Sequence, residues 1–64
     1  MSYSAIQDKV LMHLHTEKEL PHQVDGVTVR SSTIAALQRR GAINGQYQLT
    51  EDVGLARVQS VLAE

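Results

Sequence analysis

Between residues 37 and 54 the chain reads "LQRRGAINGQYQLTEDVG", and its structural signals change three times. Leu37 closes an apolar helical edge, and Gly41 stands where a helix wants a left-handed residue at its end. Asn44-Gly45 can both adopt positive φ, so the pair favours a two-residue type I′ turn. Tyr47 and Leu49 alternate with Gln46 and Gln48, as in a half-buried strand. Thr50 then reads as a helix cap, with Glu51 and Asp52 in a first turn that favours acids. Any fold for this chain must fit a helix, a β-hairpin and a further helix around this corner.

The flanking elements follow from periodicity. Residues 3–18 form an expected helix with Ser2 or Ser4 as N-cap. Ile6, Val10 and Leu14, with Leu11 beside them, make its apolar stripe. Glu19-Leu20-Pro21 ends it, because the residue before proline is pushed out of helical geometry. Asp25-Gly26 is a turn signal, and the β-branched run at residues 27–29 reads as a short strand. Ser31 or Ser32 is the expected N-cap of a helix over residues 33–40, with Ile34 and Leu37 as its buried edge. Leu55, Val58 and Leu62, flanked by Val61, give the last helix its apolar face. The expected architecture is one domain over residues 1–64, mainly α with a small antiparallel β-sheet. Its order is helix, strand, helix, β-hairpin, helix.

At 64 residues, a domain buries only about 60% of its unfolded surface. Cysteine is absent, so disulfides and thiolate metal sites cannot supplement the core. Phe and Trp are absent too, so Leu, Val and Ile must fill it, and self-association as a homodimer is expected to help. No apolar run reaches the ~18 residues of a membrane span, and the start lacks signal-peptide character. A cytoplasmic protein is expected, with no membrane partner. No nucleophile elbow, phosphate loop or paired carboxylates point to an enzyme, and no cofactor is implied. His13 and His15 diverge by about 200° on a helix, so they cannot share a metal ion and read as surface histidines.

The net charge of −1 conceals a division. Residues 1–26 carry net −2, residues 27–48 carry Arg30, Arg39 and Arg40 with no acid, and residues 49–64 again carry net −2. With Ile34 and Leu37 inward, the helical step puts Ser32, Ala36 and Arg39 outward, flanked by Ala35 and Arg40. Small residues would let such a face approach a groove closely, and its arginines would contact phosphates or guanine edges.

Leu37, Arg40, Gly41, Ile43, Tyr47, Leu49, Thr50 and Gly54 match, in order, a pattern of winged helix-turn-helix proteins. In that family a recognition helix ending in Leu-x-x-(Arg/Lys)-Gly leads through a short wing to Tyr-x-Leu-Thr-x-x-Gly. The resemblance covers about residues 27–63. It departs in "TEDVG", where Gly54 falls one step late, and in "LPHQVDGVTV", which occupies the slot of the usual second helix. The resemblance implies a small DNA-binding transcriptional regulator of bacterial or phage type, acting as a dimer on double-stranded DNA. It points to Arg30, Ser32, Thr33, Arg39 and Arg40, with Asn44 and Gln46 at the wing tip. The competing expectation is a protein-binding module or small inhibitor on the same scaffold, since fold does not fix function.

Overall fold

The computed structural model describes residues 2–64. Three helices and one two-stranded antiparallel sheet make up the fold: α1 (Ala5–Glu17), β1 (Gln23–Val24), β2 (Val27–Thr28), α2 (Ser31–Arg39) and α3 (Val53–Leu62). The mainly α expectation with a small antiparallel sheet holds, but the order differs. The paired strands lie before the second helix, and the segment after it carries only an isolated antiparallel bridge between Ile43 and Leu49.

Ser4 caps α1. Its hydroxyl accepts from the Gln7 amide at 3.2 Å, and the Gln7 side chain accepts from the Ser4 amide at 3.0 Å. This reciprocal box satisfies two of the donors that a helix start leaves open. Lys18 ends the helix in the left-handed region at φ 64°, its amide donating to the Leu14 carbonyl at 3.0 Å.

The turn chemistry is the main correction. Asp25 and Gly26 take φ values of 50° and 77°, joining β1 to β2 through the two-residue turn, with Val24 opposite Val27. Asn44 and Gly45 do not: neither has positive φ, and the chain between Ile43 and Leu49 is a five-residue loop. There the Asn44 side chain replaces the backbone turn. Its Oδ1 accepts from the amides of Gln46 (2.9 Å) and Gln48 (3.0 Å). Asparagine can close a loop through its side chain as readily as through its backbone. Tyr47 is accordingly no inward strand residue; it sits at φ 60° and is 51% exposed.

Helix starts moved as well. The N-cap of α2 is Arg30, with no side-chain cap, rather than Ser31 or Ser32. The Val29 amide donates to His22 at 2.9 Å, so extended backbone runs to Arg30 before the helix begins. The nominal cap of α3 is Asp52, whose carboxylate accepts from the Val53 amide at 2.7 Å. Thr50 keeps a capping role from further back: its hydroxyl accepts from the Gly54 amide at 2.8 Å and donates to the Gly41 carbonyl at 2.6 Å. One hydroxyl thus ties the start of α3 to the end of α2.

The core sits where α1 meets the other elements. Val10, Leu11 and Leu14 of α1, Leu37 of α2, Ala42 and Ile43 of the following loop and Val58 of α3 form one buried cluster. Fully burying a Leu, Ile or Val side chain contributes about 2 kcal/mol, so these few residues carry most of the folding drive. Val24 brings β1 against α1, while Ile34 and Leu49 pack at the cluster's margin. Leu62, expected inward, is 60% exposed, because the last turn of α3 runs past the core.

Candidate nucleic-acid interface

The backbone of β2 feeds α2 directly, and this sets which residues α2 presents. Arg30, Ser31, Ser32 and Arg39 are exposed, Thr33, Ala35 and Ala36 are half-buried, and Leu37 is buried. Ser32 and Arg39 lie seven residues apart and share a face. Arg30 and Arg39 stand at opposite ends of the helix, roughly 13 Å apart along its axis. Neither guanidinium is engaged in a salt bridge or hydrogen bond among the described residues.

Arg40 has a different fate. Its Nη1 donates to the Ser2 carbonyl at 3.0 Å and to Gln7 Oε1 at 3.3 Å, and its guanidinium stacks 3.6 Å from the centroid of the Tyr3 ring. The expectation that Arg40 faces water beside Arg39 is therefore corrected. Arg40 is the C-cap of α2, still helical in φ and ψ with its amide on the Ala36 carbonyl, and its side chain reaches back to the N-terminal segment. Tyr3 is approached by Arg57 as well, at 4.9 Å from its centroid. Arg57 in turn forks onto Asp8, with Nε–Oδ1 at 2.8 Å and Nη2–Oδ2 at 2.9 Å. That hydrogen bond holds the Arg57 guanidinium above its usual pKa. Sequence reasoning missed this group, since Tyr3, Asp8, Arg40 and Arg57 meet only through the tertiary fold.

Asn44 and Gln46 are exposed on the loop that follows α2. Gln38 Nε2 donates to the Asn44 carbonyl at 3.2 Å, fastening the loop to the helix residue beside Arg39. Asn44 is occupied in bracing, its Oδ1 taken by two amides and its Nδ2 donating to Gln48 Oε1 at 3.4 Å. The turn preference of Asn44 was readable as a backbone turn and a wing-tip contact; its role as a side-chain brace was not.

The structure thus places Arg30, Ser32, Arg39 and Gln46 at the surface and Thr33 half inside. It also assigns Asn44 and Arg40 to holding the loop and the N-terminus. Between Gly26 and Thr50 the chain has no carboxylate side chain, so the exposed arginines meet no acid from their own segment. A concavity of about 680 Å³ lies elsewhere, between α1, the β-hairpin and α3. It is lined by Met12, Val24 and Val61 and by Asp8, Lys9 and Asp25, which are already paired. Among the described residues no group of three or more His, Asp or Glu is placed to hold a metal ion, and no helix is long and apolar enough to cross a membrane. Comparisons with protein-family models, with curated proteins and with solved structures find no match to this chain.

Proposed function

We propose that this chain is a small DNA-binding protein of winged-helix type, with α2 as the helix that meets the duplex. The observation that carries the reading is the exposed surface of α2, where Ser32 and Arg39 share a face and Arg30 stands exposed at the N-cap, with no acid nearby in sequence. The axial separation of the two arginines, roughly 13 Å, is comparable with the ~12 Å width of the major groove. They are suited to phosphates on its two sides. Ser32 would add a hydroxyl contact, and Gln46 a side-chain amide from the loop. Arg40 belongs to the fold rather than to this face.

Counterion release tests the reading. Two phosphate contacts per chain give a slope of about −2 for log affinity against log salt on duplex DNA, and a second bound copy doubles it. Arg30→Ala with Arg39→Ala should bring the slope close to zero while the protein still melts normally. A wild type with no salt-dependent retention on duplex DNA overturns the proposal.

The second reading, a protein-binding module, is favoured by the β-hairpin. It occupies the chain position where a winged-helix regulator has the helix that crosses the DNA backbone, and the whole chain carries net −1.

A further inference from the structure

Given the nucleic-acid interface proposed above, on which this rests, we infer that Tyr47 is a stacking platform for an unpaired nucleobase. Tyr47 is half exposed although the alternation around it would have sent the ring inward. It is held at φ 60°, a region that bulky L-residues seldom adopt. A glycine would take that conformation without strain, so a tyrosine at this position comes at a cost to the fold.

The loop holding it is rigidly closed for its size. Asn44 Oδ1 accepts from Gln46 and Gln48, the Asn44 amide donates to the Gln48 carbonyl at 2.9 Å, and the Tyr47 amide donates to the Asn44 carbonyl at 3.1 Å. Gln38 ties that same carbonyl to α2. A loop backbone fixed before binding loses little freedom when a ligand arrives. Gln46 and Gln48, its exposed neighbours, carry amides that can donate to and accept from base edges. The segment is free of carboxylates, and exposed Arg39 follows Gln38 directly, so a polyanion is not repelled. A π-face and amides on a loop without carboxylates together suit a base that has left its stack. In a duplex the base faces are covered, and the ring has nothing to stack on.

The experiment compares binding of an oligothymidylate of about a dozen nucleotides with binding of a duplex of mixed sequence. Tyr47→Leu keeps the backbone conformation but removes the ring, and should lose roughly five- to hundred-fold in affinity for the single strand. Tyr47→Phe should retain it, and neither change should alter duplex affinity or its salt slope. Tyr47→Gly should lose strand binding while melting a few degrees higher, because the left-handed strain is relieved. In a Tyr3→Phe background Tyr47 is the sole tyrosine, and its fluorescence should be quenched by the strand. A Leu variant that binds the strand like the wild type, or a wild type that takes the duplex alone, overturns the role of Tyr47 and leaves the α2 interface standing. A wild type that binds neither nucleic acid overturns both.

Discussion

Arg39 and Arg40 are neighbours in sequence and opposites in role, and a residue-scale prediction follows from that contrast. Arg40→Ala removes a stacking contact with Tyr3 and two hydrogen bonds that hold the N-terminal segment. The expected loss is about 1–2 kcal/mol, read as a drop of several degrees in Tm. Arg39→Ala, at an exposed site, should stay within about 0.5 kcal/mol of wild type. Equal effects from the two changes would refute the division of labour. Gly54 supplies a second test. A Cβ there would collide with the Ala42 carbonyl oxygen and lie 3.0 Å from both Leu49 Cδ1 and Thr50 Oγ1. Gly54→Ala should cost roughly 1–3 kcal/mol or more, since the obstacle is backbone and cannot rotate away. Periodicity alone could not distinguish the two arginines. A helical wheel gives a direction but not a partner, and the residues that Arg40 meets, Ser2 and Gln7, lie 38 and 33 positions away in the chain. Ser32 and Arg39 were legible as outward residues because they lie within regular helix, whose geometry is local.

At the scale of elements, two turn dipeptides exchanged their expected roles. Asp25-Gly26 makes the tight hairpin, aided by the Lys9–Asp25 ion pair that ties the turn to α1. Asn44-Gly45 opens a side-chain-braced loop. Gly26→Val, at φ 77°, should therefore destabilise the protein by about 1–2 kcal/mol. Gly45→Val should be tolerated within about 0.5 kcal/mol, since a Cβ there meets nothing within 4 Å and φ is not positive. Thermal melts of the two variants decide the matter, and a reversed order would restore the tight turn to Asn44-Gly45. Dipeptide preference names candidate turns but not which one the core selects. Here Ile43 and Leu49 are the bridged residues on either side of the five-residue loop, and both pack in or against the core.

The cap of α3 adds a pH prediction at the same scale. The hydrogen bond from the Val53 amide holds the Asp52 carboxylate below its ordinary 3.8. A lowered folded pKa means the contribution is present above the unfolded value and is lost as pH falls through the folded one. Asp52→Asn should thus melt below wild type near neutrality, and the gap should narrow as the solution is acidified below about pH 4. A gap that stays constant down to acid-unfolding conditions would remove the charge from the account. Helix existence was legible for all three helices, because each carries apolar residues at helical spacing. The first residue of α2 and of α3 was not, since extended backbone from β2 and the Thr50 bond across to Gly41 set those starts.

For the whole molecule, the issue is whether one chain is a sufficient folding unit. The radius of gyration, 10.5 Å, agrees with the ~10.7 Å expected of a self-contained globule of this length. The core is aliphatic throughout, and α1 is the element that touches α2, β1 and α3. A chain of 64 residues is stable by about 3–10 kcal/mol in all. Leu11 is 1% exposed in the middle of α1, and Leu11→Ala should cost about 2–5 kcal/mol. That is a large share of the total, so the variant should be largely unfolded at physiological temperature or close to it. The same melts settle whether self-association supports the fold. If a homodimer completes the core, Tm rises with protein concentration, and a tenfold dilution lowers it measurably. The buried cluster is closed within one chain, so the expected result is a Tm independent of concentration over the micromolar range, with sedimentation as a monomer in the absence of DNA. A concentration-dependent melt would instead place a second copy against apolar side chains left exposed here, among them Val27 at 55% and Leu62 at 60%. Val27→Ser and Leu62→Ser would then abolish that dependence. Under the monomeric outcome, any pairing of copies comes from adjacent sites on the duplex, and the doubled salt slope appears only on a target long enough to seat two.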